Sequence, residues 1–285
     1  MPDSDVETIV YEQPEAGIAR IVMNRPAVRN AQNLQMTYEL TAAMDRAVAD
    51  DTIQVLILAG ADPHFSAGHD LRAQGQPQLG RDLPVLSTWG GFALPGAEGG
   101  FAREQEIYLQ MTRRWRNLSK PTIAQVQGKC IAGGLMLAWA CDLICASDDA
   151  EFSDPAVALG NLGVEWFAHP WELGIRKAKE MLFTGDTWSA RDAERFGMVN
   201  RVFARDALAE GVLAIARRIA GKPSFALKMA KEAVNRSADA MGQQVAIDQS
   251  FGLHQLCHAH NLLRFGQRVD PCGLPATLQN RPARD

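Results

Sequence analysis

No apolar run in the sequence is long and unbroken enough to cross a bilayer. The most apolar stretch, 130–146, is interrupted by Gly133, Gly134 and Asp142, and reads as a buried helix leading into a buried strand. Basic residues form no stripe: the formal net charge is −4 and the lysines and arginines are spread along the chain, which argues against a nucleic-acid partner. The opening residues Met1, Pro2, Asp3, Ser4 and Asp5 are acidic and precede no apolar core, so no secretory leader is expected and a cytoplasmic protein is. The five cysteines are odd in number and lack paired spacing, so neither a disulfide framework nor a metal site is expected. Three catalytic signatures are missing as well. No Lys-Ser/Thr follows Gly133 to make a phosphate loop, no G-x-G-x-x-G spacing suits a dinucleotide, and no serine sits in a G-x-S-x-G elbow. No short internal repeat is visible and no heptad is sustained.

What remains is a balanced globular composition, with 47% hydrophobic and 22% charged residues in 285. That length suits one large core, or a core with a helical appendage. Apolar runs at 6–11 and 18–23, with Glu15, Ala16 and Gly17 between them, predict a β-hairpin ended by Pro26. Leu34, Tyr38, Leu40, Ala43, Met44 and Val48 recur at helical spacing. The run 53–58 suits a strand buried on both faces. A segment at 73–102, rich in Gly, Pro and Gln, reads as a long loop, followed by a helix over 104–118 and a strand over 122–126. A helix near Gly133, a strand over 143–146, helices over 176–183 and 190–196 and a short strand over 199–203 continue the alternation, and everything after Asp206 is helical in pattern. The expectation is an α/β core over 1–205 and a helical region over 206–285.

Two glycine-bearing turns stand out. His64-Phe65-Ser66-Ala67-Gly68-His69-Asp70-Leu71 follows the 53–58 strand; Gly68 permits a tight turn and Asp70 could cap a helix. Gly128-Lys129-Cys130-Ile131-Ala132-Gly133-Gly134 follows the next strand and opens a helix whose free N–H groups attract negative charge.

Together these turns resemble the signature of the crotonase (enoyl-CoA hydratase/isomerase) superfamily. Asn24-Arg25-Pro26-Ala27-Val28-Arg29-Asn30-Ala31 is similar to its N-R-P-x-x-x-N-A segment, and Ala67-Gly68-His69-Asp70-Leu71 to its A-G-x-D-[LI]. Lys120-Pro121-Thr122-Ile123-Ala124, the Gly133-Gly134 pair with Cys141-Asp142 downstream, and Thr184-Gly185-Asp186 with 190–199 complete the series in order. The resemblance implies a right-handed spiral of ββα units with a helical C-terminal region that builds a homotrimer, or a hexamer as a dimer of trimers. It implies an acyl-CoA thioester substrate whose carbonyl oxygen meets two backbone N–H groups, at Ala67 and Gly133. It places Arg29, Ala67 and His69 near coenzyme A, and asks for no cofactor beyond the coenzyme A of the substrate.

The chain departs from the pattern where a hydratase places its two proton-transferring glutamates. Met136 and Ala156 stand there, and neither side chain can move a proton. Family members without that pair draw on the loop that here reads Gly160 to Pro170, so Glu165 is the first catalytic candidate. Its neighbours Val164, Trp166 and Phe167 are apolar, which predicts a raised carboxyl pKa. His69 and Asp154 are further candidates; His169, Glu106 and Tyr108 carry less weight. His254, His258 and His260 are expected on a helix surface or a subunit interface. The reading is an enoyl-CoA hydratase/isomerase family enzyme working through a stabilised enolate. The alternatives are an acyl-CoA-binding protein with little turnover, or a thioester hydrolase.

Overall fold

The computed structural model describes residues 8–71 and 84–274. Its strands are β1 (Ile9–Glu15), β2 (Ile18–Met23), β3 (Val55–Gly60), β4 (Thr122–Val126), β5 (Lys129–Ile131), β6 (Leu143–Ser147), β7 (Glu151–Ser153), β8 (Trp188–Ser189) and β9 (Arg201–Phe203). Its helices are α1 (Leu34–Ala49), α2 (Gly96–Glu104), α3 (Met111–Arg116), α4 (Gly133–Trp139), α5 (His169–Leu173), α6 (Ile175–Thr184), α7 (Ala190–Arg195), α8 (Leu208–Ala220), α9 (Ser224–Ala240) and α10 (Gln243–Phe265). None of the described helices is long and apolar enough to cross a membrane.

One sheet has the order β1-β2-β3-β4-β6-β9, antiparallel only at the β1–β2 hairpin and parallel beyond it. A second sheet has the order β5-β7-β8. After β4 the chain places β5 in the small sheet, forms α4 and returns to the large sheet with β6; β7 again joins the small sheet. This is the spiral of ββα units that the motifs implied. All six residues of β3 are buried, as expected of an interior parallel strand.

Two layers of helix cover the large sheet. On one face α1 buries Met36, Leu40, Ala43, Met44 and Ala47 in the main core, with α3 and α4 beside it. On the other face α8 seals Ile18, Val55, Ile57, Ile123 and Cys145 under Leu208, Val212 and Ala216. The helix starts and stops have local causes. The Asn33 side chain accepts from the Met36 N–H at the head of α1, and Lys120 donates to the carbonyls of Ala47 and Asp50 at its tail. Asp142 accepts from the Thr122 N–H and pairs with Lys231 of α9, so the Cys-Asp motif ties the sheet to the C-terminal helices.

Several expectations change. The first strand begins at Ile9 and runs on through Pro14 to Glu15, while residues 6 and 7 lie outside the described residues. Proline is tolerated because β1 is an edge strand whose register shifts between Glu12 and Glu15. The long loop is not structureless to residue 102: α2 starts at Gly96, and residues 72–83 lie outside the described residues. The helix after it is interrupted by a wide π-turn, Gln105–Gln110. The small sheet was not anticipated, since strands of two or three residues show no period. Asp70 does not cap a helix among the described residues; its carboxylate pairs with Arg25 at 3.0 Å.

Candidate active site

The two glycine turns are stitched together by backbone bonds. Ser66 donates to Lys129, and Ile131 donates back to Ser66, each at 3.0 Å. Asn30 and Gln32 hold the arrangement from the side: the Asn30 amide donates to the carbonyls of Ala61 and His64, and the Gln32 amide donates to the carbonyl of Gly133 at 2.8 Å. This is the physical content of the N-terminal motif. Gly68 has φ +89°, and a Cβ there would fall 2.7 Å from the Ile131 oxygen and 3.0 Å from the Gly133 nitrogen. Only glycine lets the turns come this close.

One expected donor is elsewhere engaged. The Ala67 N–H donates to the Arg29 carbonyl at 2.9 Å, so it is not free to meet a thioester oxygen. His69 is the better-placed residue. It forms a parallel bridge with Gln32, through Gln32 N–H to the Gly68 carbonyl at 2.8 Å and Asp70 N–H to the Gln32 carbonyl at 2.9 Å. In that pattern the N–H of His69 itself points to the opposite side. Gly133 opens α4, so its N–H has no partner within the helix. The backbone pair brought side by side is therefore His69 and Gly133.

The side chain of His69 adds a second element. Its Nε2 lies 2.9 Å from Oε2 of Glu165, and its Nδ1 is buried without a hydrogen-bond partner. The ring stacks on Tyr108, centroid to centroid 3.7 Å, and lies over Gly133, where an added Cβ would fall 2.7 Å from Nδ1. Tyr108 comes from the π-turn, which widens the helix and turns this ring toward His69. Burial, and then the charges of Glu165 and Glu104, push the Tyr108 phenol pKa well up, so it stays protonated.

The raised Glu165 pKa expected from its apolar neighbours is overturned. Burial does push it up, but the imidazoles of His69 and His254 outweigh burial and hold the carboxyl at about 2. An ionised carboxylate only accepts, so His69 donates from Nε2, and Nδ1 is the ring nitrogen left without a partner.

The C-terminal histidines are also corrected. His254 and His258, one turn apart on α10, are buried rather than on a surface, and only His260 is exposed. His254 Nε2 stands 3.6 Å from Oε1 of Glu165. Their spacing on one helix face was visible in the sequence, but their partners were not.

Of the remaining candidates, Asp154, His169 and Glu106 are engaged in other contacts. Asp154 accepts from the N–H groups of Ala156 and Val164 at 3.0 Å each and from His169 Nε2 at 2.9 Å, and both members of this pair are sealed from solvent. They brace the loop that carries Glu165. Glu106 accepts from the backbone of Leu86 and Ser87 and so anchors the segment before α2. Met136 lies fully buried in the core, and Ala156 sits in a short 3-10 turn. Arg29 is exposed beside the first turn, at φ +56°.

The family model described as enoyl-CoA hydratase/isomerase matches residues 13–87 and 97–267. The chain belongs to the enoyl-CoA hydratase/isomerase family. EchA13 of Mycobacterium tuberculosis, provisionally named an enoyl-CoA hydratase, is 48% identical over 90% of this chain and 82% of its own length. The crystal structure of a probable enoyl-CoA hydratase from Mycobacterium smegmatis superposes with a TM-score of 0.83 at 46% identity, covering 92% of this chain and 99% of that one. An enoyl-CoA hydratase/isomerase from Xanthobacter autotrophicus gives 0.79 at 33% identity, covering 92% and 95%. In this chain a histidine–carboxylate pair, His69 and Glu165, lies over the second turn.

Proposed function

We propose that this family member acts on an acyl-CoA thioester by moving a proton at the acyl chain, with His69 as the proton acceptor. The observation that carries the reading is the buried, unpartnered Nδ1 of His69, backed at 2.9 Å by Glu165 through the other ring nitrogen. Glu165 orients the ring and stabilises the imidazolium that forms, and need not itself be protonated. The thioester oxygen takes the N–H groups of His69 and Gly133, with the positive end of α4 behind them. Fixed donors of this kind are each worth about 3 kcal/mol to a developing oxyanion.

A single base favours double-bond migration, in which one group removes a proton from one carbon and returns it to another. Hydration would require the same ring to take a proton from water. Exposed Arg29 suits the phosphates of coenzyme A, and the chemistry asks for no further cofactor. The five unpaired cysteines suit a reducing cytoplasm. Helix α9 buries none of its residues, although Phe225 and Val234 on it are 73% and 70% exposed, and Leu263 of α10 is 90% exposed. Such a face suits association of copies, as the homotrimer or dimer of trimers that the family resemblance implies would require.

The test is incubation with 2-enoyl- and 3-enoyl-CoAs in heavy-oxygen water, read by mass spectrometry, with His69→Gln in parallel. A shifted double bond without label, lost in the variant, is the expected result. Uptake of label would make the reaction a hydration through the same ring. Neither change across a broad chain-length panel would sink the reading and leave acyl-CoA binding alone.

A further inference from the structure

Behind Glu165 the two buried histidines of α10 face each other. His254 Nδ1 lies 3.0 Å from the Gly163 carbonyl, and His258 Nδ1 lies 2.7 Å from the Arg268 carbonyl. A carbonyl only accepts, so both rings carry their Nδ1 proton. Their two Nε2 atoms then meet at 3.0 Å. If both were neutral, two lone pairs would be opposed at hydrogen-bond distance, in a site where neither ring can turn without losing its carbonyl. If both were charged, two N–H groups would collide. One proton between them satisfies both.

The surrounding charges count the same way. Glu165 approaches His254 Nε2 at 3.6 Å, and Glu104 of α2 approaches His258 Nε2 at 3.4 Å. Arg268 pairs with Glu104 at 2.8 Å. Two carboxylates, one guanidinium and one shared proton sum to zero, the arrangement a buried cluster favours. The neutral phenol of Tyr108, from the π-turn, stacks on the His69 ring beside Glu165 and feels the charges of Glu165, Glu104, Arg268 and Arg103. Burial disfavours charge on both rings; for His258 the hydrogen bond to Glu104, the Glu104 charge and the bond to the Arg268 carbonyl together outweigh burial and raise the pKa, whereas for His254 burial prevails and lowers it. Glu104 therefore draws the proton toward His258, within hydrogen-bond reach of His254. A divalent cation could use the same atoms of Glu104, His254 and His258, which lie within 4.8 Å of one another. The Glu104 oxygen nearest His258 already takes the Arg268 guanidinium, however, and 3.0 Å is an N–H···N separation.

We infer that His254 and His258 share one proton across their facing Nε2 atoms, and that this positively charged pair is a positioning device that keeps Glu165 ionised and His69 in its Nε2–H form. The inference rests on the proposed role of His69, but its physical content is measurable without turnover. His258 gains its proton affinity on folding, so this contribution to stability is full below the unfolded histidine value of about 6.5 and is lost as pH rises through the folded value.

The experiment is nitrogen-15 NMR of histidine-labelled protein, with metal analysis of the same sample. The expected result is one far-downfield imidazole proton tied to both His254 and His258, absent in His258→Asn. Asparagine keeps a donor toward the Arg268 carbonyl and deletes Nε2. In that variant the His69 signal should move from a single Nε2–H tautomer to a mixture, and His258→Gln, which offers a neutral donor but no charge, should not restore it. Two independently titrating rings, stoichiometric metal removed by His258→Asn, or an unchanged His69 tautomer in that variant would each overturn the proposal. If the shared proton is found and no acyl-CoA is converted, the proton pair stands and the proposed reaction fails.

Discussion

His69 Nε2 and Glu165 Oε2 stand 2.9 Å apart across 96 residues of sequence, and the other nitrogen of the same ring has no partner. The carboxylate holds the Nε2 donor in place, and burial keeps water from the other ring nitrogen. Glu165→Gln leaves a group of the same shape without charge. Turnover should fall by about 10²–10⁴-fold, the span typical of losing assisted proton transfer, with acyl-CoA affinity changed only a few-fold. Steady-state kinetics with a separate binding titration checks this. Unchanged turnover would remove Glu165 from the mechanism.

Gly133 is required by its neighbour. A Cβ at this position would sit 2.6 Å from Cε1 of His69. Gly133→Ala should therefore push the ring off Glu165 and lower turnover at least tenfold, while the fold persists, because the displaced atoms belong to a side-chain ring and not to backbone. Circular dichroism at constant melting temperature, with lost activity, is the expected pair of results. Full activity would show that the ring does not work from this position.

Acid stability should report the ionised carboxylate. Burial opposes charge on Glu165, but His69 and His254 hold its folded pKa down at about 2. A depressed pKa contributes stability that is present above the unfolded value of about 4.3 and is lost as pH falls through the folded one. Urea melts between pH 5 and pH 3 should show a decline in stability that is shallower in Glu165→Gln. An identical slope in the variant would contradict the assignment.

The layer under the site should behave as an ordinary close-packed core. Leu40 of α1 is fully buried, so Leu40→Ala should cost about 2–5 kcal/mol. Asn33→Ala removes the α1 cap and should cost about 1 kcal/mol. Chemical denaturation ranks the two, and a larger loss from the cap would contradict this packing.

The sequence by itself determined the family, the alternation of strand and helix, and the two turns, because these are local properties. The 53–58 run marks an interior strand by its continuous apolarity, Gly68 marks a turn by the φ it needs, and Met136 and Ala156 announce missing acids by their own chemistry. Tertiary structure alone decided the site. The resemblance put the first N–H donor at Ala67, but the Arg29 carbonyl claims that N–H and leaves His69. Glu165 looks like a buried acid with a raised pKa until two imidazoles from residues 69 and 254 surround it. A carboxylate's charge state and a histidine's tautomer are set by whatever lies within about 4 Å, and those neighbours come from parts of the chain that only the spiral brings together.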